Sequence, residues 1–116
     1  MIRRTTKTLI KQGDTYPPLQ AVLMDDETPV ALADIASVQM LARRGVGRGG
    51  GPQVVVIDAP CSLGESPGEV VYDWQPDDTA EAGQLQVEFR VIWAQGGVQT
   101  FPSQGYLIVE VTEPVA

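Results

Sequence analysis

Histidine is absent from the 116-residue sequence, and cysteine occurs once, as Cys61. Histidine is the usual general base at neutral pH, the usual partner of a nucleophilic serine or cysteine, and the commonest transition-metal ligand. A single cysteine cannot form an internal disulfide, and we expect Cys61 to be a small, partly buried thiol. The sequence therefore predicts a protein that is not an enzyme and binds no metal or cofactor. The remaining alternative is an enzyme that uses the carboxylates of Asp77, Asp78 or Glu81, which turn formation already explains.

Long apolar runs are also missing. No stretch approaches the roughly 20 apolar residues that cross a bilayer, and no apolar segment of the secretory type follows the basic N-terminus. We therefore expect no membrane partner. A chain of this length buries enough surface to fold without metals or disulfides, so we predict a single domain over residues 1–116. Loose termini are expected at residues 1–6 and 113–116.

Basic residues become scarce after residue 48. The first 48 residues carry seven basic and five acidic side chains, net +2, whereas the remainder carries one basic and ten acidic side chains, net −9. An acidic domain is poorly suited to binding a phosphate backbone, so we do not expect nucleic acid as the partner. A small-molecule partner is not expected either. Uneven charge can instead serve docking between copies of the chain, or onto another protein.

Apolar and polar residues alternate most regularly between Tyr72 and Trp93, which predicts a strand, a polar corner and a second strand. The corner is Pro76–Thr79. Trp74 and Trp93 are the expected anchors of the core. The residues predicted to face inward on these two strands are Val70, Tyr72, Trp74, Leu85, Val87, Phe89, Val91 and Trp93.

Shorter alternating runs separated by Gly, Pro and Asp fill the rest of the chain. Residues 30–35 are too short to distinguish a helical turn from an irregular connection, and Asp58–Gly68 has the composition of a loop. Several short strands without a convincing helix predict an all-β, antiparallel, immunoglobulin-like β-sandwich of about seven to nine strands. The further strands are predicted near Leu9–Ile10 and at Leu19–Met24, Ala36–Arg43, Val54–Ile57, Val98–Phe101 and Tyr106–Thr112.

The segment 43–52 is the most biased part of the chain, because it is rich in glycine and arginine. Its glycines match the G-x-G-x-x-G pattern of dinucleotide sites, but a strand is predicted to follow where such a site needs a helix. The composition predicts a flexible hairpin loop whose arginines can reach an acidic neighbour. Leu41 breaks the alternation of the preceding strand. The candidate partner-binding residues are therefore Leu41, Arg43, Arg44, Val46 and Arg48.

Three segments carry a resemblance to a known family: the Tyr72-Asp73-Trp74 strand, the Asp78-Thr79 corner before Gly83, and the hairpin from Thr100 to Tyr106. In this order, over about residues 7–112, the chain resembles the N-terminal immunoglobulin-like domain of siphophage baseplate upper proteins and related phage tail proteins. Leu85 and Val87 replace the corner tyrosine and second core cysteine of immunoglobulin domains generally. The motif and core residues are Tyr72, Trp74, Asp78, Thr79, Gly83, Leu85, Phe89, Trp93, Phe101, Pro102, Gly105 and Tyr106.

The resemblance implies a structural building block of a bacteriophage virion, assembled in the cytoplasm of the host bacterium. Because the chain ends at Ala116, we expect an assembly adaptor of the tail or baseplate that contacts other virion proteins and copies of itself. Two alternatives stay open. The first is a head-decoration or head-tail connector protein. The second is a carbohydrate- or receptor-binding module, for which Tyr16, Phe101 and Tyr106 are the candidate exposed rings.

Overall fold

The computed structural model describes residues 8–44, 55–102 and 107–115. This part of the chain is all-β, with two short 3₁₀ turns at Leu32–Asp34 and Pro76–Thr79. It contains no helix long and apolar enough to cross a membrane. In chain order its strands are β1 (Thr8–Lys11), β2 (Leu19–Val22), β3 (Met24–Asp25), β4 (Thr28–Pro29), β5 (Ile35–Arg44), β6 (Val55–Pro60), β7 (Ser62–Leu63), β8 (Glu69–Tyr72), β9 (Gly83–Trp93), β10 (Val98–Phe101) and β11 (Leu107–Thr112).

β9 is the central strand of a six-stranded sheet. Five of its strands follow the order β1-β11-β9-β5-β6, and the sixth, β10, pairs with β9 next to β11. One side of β9 pairs with β5 along most of its length. The other side pairs with β10 and with β11, so that Phe89 lies opposite Phe101 and Val87 lies opposite Leu107. The longest alternating run of the sequence therefore organises the larger sheet.

A smaller sheet has the order β2-β8-β7, and β3 and β4 form a separate hairpin. The chain passes from the larger to the smaller sheet at Cys61, between β6 and β7. The loop predicted at Asp58–Gly68 is therefore wrong in its first half. β6 continues through Pro60 because it pairs with β5, where Ala59 lies opposite Met40. An edge strand tolerates a proline because the missing N–H can face away from the sheet.

One hydrophobic core contains residues of both sheets, as expected for a sandwich. The alternation predicted for β9 is confirmed, since Leu85, Val87, Phe89 and Val91 are at most 1% exposed. Leu107, Val109 and Val111 of β11 also face inward, as predicted. The further buried members are Ile10, Leu19, Ala21, Leu23, Val30, Ile35, Val38, Met40, Ala42, Ile57, Val70, Tyr72, Trp74 and Phe101.

The two tryptophans differ in burial. Trp74 is 4% exposed, as predicted for a core anchor. Trp93 is only partly buried and packs against the edge of the core, with its ring edge-on to Phe101 at 6.4 Å. Its indole Nε1–H donates to Gln99 Oε1 at 3.2 Å. Trp93 ends β9, so its ring lies at the border of the sandwich, and the prediction that it anchors the core is corrected.

The all-β fold is confirmed, and two of its details were not predicted. β1 runs parallel to β11, whereas the other strand pairs are antiparallel. Parallel neighbours need a long connection, which the rest of the chain between β1 and β11 supplies. The described part of the chain contains eleven strands, more than the seven to nine that were predicted. The excess comes from β3, β4 and β7, which have only two residues each. Residues 113–115 are exposed and outside any strand, while residues 1–6 of the predicted loose N-terminus lie outside the described part.

Hydrogen bonds explain the Asp78-Thr79 corner as a structural feature. The Asp78 carboxylate accepts from the Gln75 backbone N–H at 2.8 Å and from the Tyr72 hydroxyl at 2.5 Å. Thr79 is fully buried, and its hydroxyl donates to the Asp14 carbonyl at 2.8 Å. The Thr79 carbonyl in turn accepts from the Gly13 N–H at 2.9 Å. The corner therefore holds the turn after β1 in place.

We expect Thr79→Val to destabilise the fold by about 1–3 kcal/mol, because valine fills the same space but leaves the Asp14 carbonyl without its donor. Thr79→Ser keeps the hydroxyl and removes one methyl group, so its cost should stay near about 0.8 kcal/mol. Urea denaturation of the three proteins measures both values. A valine variant as stable as the wild type would show that this hydrogen bond does not hold the turn.

Candidate interaction surface

The structure places Arg43 and Arg44 in β5, so the flexible loop predicted at residues 43–52 is corrected at its first two positions. The strand extends this far because β9 pairs with it up to Arg44, opposite Leu85, and β6 pairs with it at Arg43, opposite Val55. Two further candidate partner-binding residues, Val46 and Arg48, lie outside the described residues, as do Gly105 and Tyr106 of the predicted hairpin.

Leu41 and Arg43 meet on the outer face of the larger sheet. With Ala42, Val55, Gln86 and Glu88 they line a depression of about 110 Å³, the outer hollow. Arg43 Nε–H donates to Gln86 Oε1 at 2.7 Å, and Gln86 is only 8% exposed although its strand position faces away from the core. The hydrogen bond fixes the polar wall of the outer hollow. No residue there has the arrangement of a nucleophile with its base.

Arg44 is separated from the outer hollow. Its guanidinium donates to the Glu81 backbone carbonyl at 3.2 Å and lies 3.8 Å from the Glu81 carboxylate. The four other residues of the hollow, Ala42, Val55, Gln86 and Glu88, were not among the sequence-based candidates. Gln86 and Glu88 are two of the polar residues that alternate with apolar ones along β9, and nothing else in the sequence marks them as candidates. Their grouping comes from the pairing of three strands that are distant in the chain.

The larger sheet has open edges at both ends. Among the described residues β1 pairs only with β11, and β6 pairs only with β5. Both strands expose apolar side chains: Leu9 is 63% exposed, Val55 is 58% exposed and Val56 is 45% exposed. An open edge with apolar side chains is a template for pairing with another chain.

β1 forms one of the two open edges, called the β1 edge, and some of its backbone groups point away from the sheet. The Gln12 N–H donates to the Thr112 carbonyl at 2.7 Å, which orients every second residue of this stretch towards β11. Leu9 and Lys11 therefore direct their backbone groups away from the sheet. The Lys11 carbonyl already accepts from the Asp14 N–H at 3.0 Å. The β1 edge thus offers the N–H and C=O of Leu9 and the N–H of Lys11.

A groove lies beside the β1 edge. It has a volume of about 390 Å³ and is called the β1 groove; its lining is Leu9, Ile10, Lys11, Asp14, Tyr16, Pro17 and Thr112. The Tyr16 ring is 80% exposed. Tyr16 was one of three rings expected at the surface, but Phe101 is only 1% exposed, and that prediction is corrected because Phe101 pairs with Phe89 on the inner face. The third ring, Tyr106, lies outside the described residues.

The β6 edge is better protected than the β1 edge. The Cys61 N–H donates to the Val38 carbonyl at 2.9 Å, so by alternation Ala59 faces β5 while Asp58 and Pro60 face outward. Pro60 has no N–H, and Asp58 carries a charge. Both features limit pairing at an edge strand. The backbone of Asp58 and the Pro60 carbonyl remain available.

Two titratable groups at the junction of the sheets have shifted pKa values. Burial raises the pKa of the Cys61 thiol to about 12, and a backbone hydrogen bond with Met40 offsets part of the rise. Burial, followed by the hydrogen bond and charge of Asp78, also raises the pKa of Tyr72 above its ordinary value. A thiol that stays protonated at neutral pH is a poor nucleophile. The described residues contain no cluster of three or more His, Cys, Asp or Glu side chains that could hold a metal ion.

These shifts predict a loss of stability at alkaline pH. Because both pKa values are higher in the folded state than in the unfolded state, the folded protein retains protons that the unfolded chain releases above about pH 9. The contribution of these two groups to the free energy of unfolding should be constant below that pH and then fall as the pH rises towards the folded pKa of Cys61, about 12. Urea denaturation between neutral and alkaline pH measures the slope. Cys61→Ala should reduce the slope, and an equal slope in that variant would contradict the assignment.

Comparison of the chain with protein-family models, with curated proteins and with solved structures finds no match, so the open β1 edge and its groove stand as the candidate interaction surface on geometry alone.

Proposed function

We propose that the chain is a non-enzymatic structural protein that joins other proteins through the open edge of its larger sheet. The observation that carries this proposal is the β1 edge, which offers backbone hydrogen-bonding groups beside the β1 groove and the exposed Tyr16 ring. An extended segment of a partner can add to such an edge as a further strand. Main-chain hydrogen bonds then supply affinity, and an adjacent pocket that accepts a side chain supplies specificity.

The composition of the groove suits a protein segment. Leu9, Ile10, Tyr16 and Pro17 supply apolar surface, and Lys11 and Asp14 supply one charge of each sign. An exposed tyrosine offers a large, rigid contact area at low entropic cost. The net charge of −7 is unfavourable for binding a nucleic-acid backbone. A polypeptide is therefore the partner class that the edge and its groove fit best.

The biological setting comes from the resemblance in the sequence. The Tyr72-Asp73-Trp74 segment and the Asp78-Thr79 corner support an assembly adaptor of a bacteriophage tail or baseplate, present in the virion. The Asp78 and Thr79 side chains serve folding, as their hydrogen bonds with Tyr72 and Asp14 indicate. Contacts with neighbouring proteins then fall to the sheet edges.

Site-specific photocrosslinking tests this proposal. A photoreactive phenylalanine analogue at Tyr16 should crosslink to a structural protein of the virion, because that ring lies in the β1 groove. The same analogue at Leu63, an exposed position of the smaller sheet at 42% exposure, is the matched control and should not. Purified particles that lack the polypeptide in mass spectrometry would overturn the virion role. Crosslinks of equal yield at both positions would overturn the role of the β1 edge.

A further inference from the structure

The two open edges of the larger sheet are complementary in direction. β1 is parallel to β11, β11 is antiparallel to β9, β9 is antiparallel to β5, and β5 is antiparallel to β6. β1 and β6 therefore run in opposite directions at opposite ends of the same sheet. A second copy placed beside the first without reversal brings its β6 antiparallel to β1, which is the more stable pairing.

We propose that copies of this chain associate head to tail, with β1 of one copy pairing with β6 of the next so that the larger sheet continues between them. The pairing rests on the proposed function in one respect, since both use the β1 edge. It goes further by naming the partner as a second copy and the acceptor as β6. Such a contact is heterologous, so it closes into a ring or grows into a filament, according to the rotation between copies.

One register brings two N–H groups of the β1 edge onto two carbonyls of the β6 edge. With Lys11 opposite Asp58, the Lys11 N–H meets the Asp58 carbonyl, and the Leu9 N–H meets the Pro60 carbonyl. Pro60 has no N–H to donate to the Leu9 carbonyl, and the Lys11 carbonyl already accepts from the Asp14 N–H, so the register forms two new main-chain hydrogen bonds. Residues directly opposite each other in a sheet share a face. Lys11 and Asp58 both lie on the outer face, because Lys11 pairs with Thr112 and Asp58 pairs with Leu41. The register therefore places an opposite-charge pair side by side.

The same register accounts for the exposed side chains near both edges. Leu9, 63% exposed, would lie against the exposed Pro60 of the next copy. Beyond Lys11 the chain leads to Tyr16, in the direction of the end of β6 where Val55 and Val56 are exposed. Apolar groups on one edge thus meet apolar groups on the other.

Charge favours this contact over pairing between like edges. Lys11 is the charged residue of β1, so two β1 edges in contact would bring two copies of Lys11 together. Two β6 edges in contact would bring two copies of Asp58 together. Of these three contacts, the β1–β6 contact is the one that sets Lys11 of one copy against Asp58 of the next, and like charges directly opposite each other destabilise a strand pair.

Sedimentation of the purified full-length chain tests the contact by charge reversal. The wild type should self-associate, and more weakly as the salt concentration rises. Lys11→Glu and Asp58→Lys should each weaken self-association, by roughly tenfold, because each variant faces a like charge. An equimolar mixture of the two variants should recover association, since every contact between unlike copies then pairs opposite charges. Asp58→Asn, which removes the charge without reversing it, should fall between wild type and Asp58→Lys.

Several outcomes would overturn the head-to-tail contact. They are a wild type that stays monomeric up to about 1 mM, an Asp58→Lys variant that associates like the wild type, and a mixture that does not recover. Both positions are exposed, so the variants should fold like the wild type, and circular dichroism and thermal melting of each variant are the controls for folding. A monomeric wild type together with a specific Tyr16 crosslink to another virion protein would overturn the self-association and leave the proposed adaptor function standing. A monomeric wild type without a specific Tyr16 crosslink would overturn both the self-association and the adaptor role of the β1 edge.

Discussion

Replacing Trp74 with alanine should lower the free energy of unfolding by about 3–5 kcal/mol, the cost of removing a large aromatic side chain from a packed core. Trp74 is 4% exposed, and its ring meets that of Tyr72 edge-on, with centroids 5.4 Å apart and planes at 89°. Edge-to-face pairs add to the energy of burial. The loss is a large fraction of the roughly 5–15 kcal/mol by which a domain is stable, so the variant should unfold at a clearly lower urea concentration than the wild type.

Trp93→Ala is the matched control, because it removes the same side chain from the edge of the core. Its ring is partly exposed, and its Nε1–H bonds to the exposed Gln99, so truncation leaves a smaller cavity. We expect this variant to lose clearly less stability than Trp74→Ala. Urea denaturation followed by circular dichroism measures both, since each variant retains one tryptophan and fluorescence alone would be biased. Equal losses would show that burial does not separate the two positions.

The difference between the tryptophans illustrates what periodicity in a sequence can predict. Alternation assigned both rings to inward faces, and both rings do face inward. Alternation does not report how far the opposite sheet extends, because that depends on residues far away in the chain. The ring at Trp74 is covered, whereas Trp93, at the last position of β9, is only partly covered. The face of a strand residue was therefore predictable, and its depth was not.

Long-range pairing also explains the errors between Asp58 and Gly68. Pro60, Gly64, Pro67 and Gly68 give this stretch the composition of a loop. Its first residues nevertheless form strand because β5 supplies hydrogen bonds along one side. The two prolines do not prevent strand formation, because Pro60 lies on the edge strand β6 and Pro67 lies in the turn before β8. Local composition identified the turns correctly but missed the strands between them.

The candidate surface was predictable only in part. The sequence indicated that Tyr16 was a candidate exposed ring, and the open strand edges became visible only from the sheet order. The sequence also assigned Arg43 and Arg44 to a loop, because the glycines that follow them dominate the composition. In the structure these arginines are held by Gln86 and by Glu81, from distant strands and turns. Which arginine is free to reach a neighbour depends on those tertiary contacts.

Among the glycines that the structure describes, replacing Gly68 with alanine should be the most damaging substitution, at about 2–5 kcal/mol, because two costs add at this position. The backbone has φ of +74°, in the left-handed region that disfavours a side chain. A Cβ would also lie 2.7 Å from the Leu23 carbonyl oxygen and 3.1 Å from Pro29 Cβ. The close approach exists because the Leu23 N–H donates to the Gly68 carbonyl at 2.8 Å, which fixes the β3–β4 hairpin against the turn before β8.

Gly13→Ala separates the two costs. Gly13 has a similar φ of +86°, but a Cβ there would meet nothing within 4 Å. That variant should lose only the conformational cost, about 1–2 kcal/mol, so the excess loss in Gly68→Ala measures the steric contact with Leu23. Equal losses in the two variants, measured by urea denaturation, would mean that the hairpin can move aside. An excess of about 1–3 kcal/mol would show that the hairpin is rigidly seated, as expected when a backbone carbonyl, and not a flexible side chain, is the obstacle.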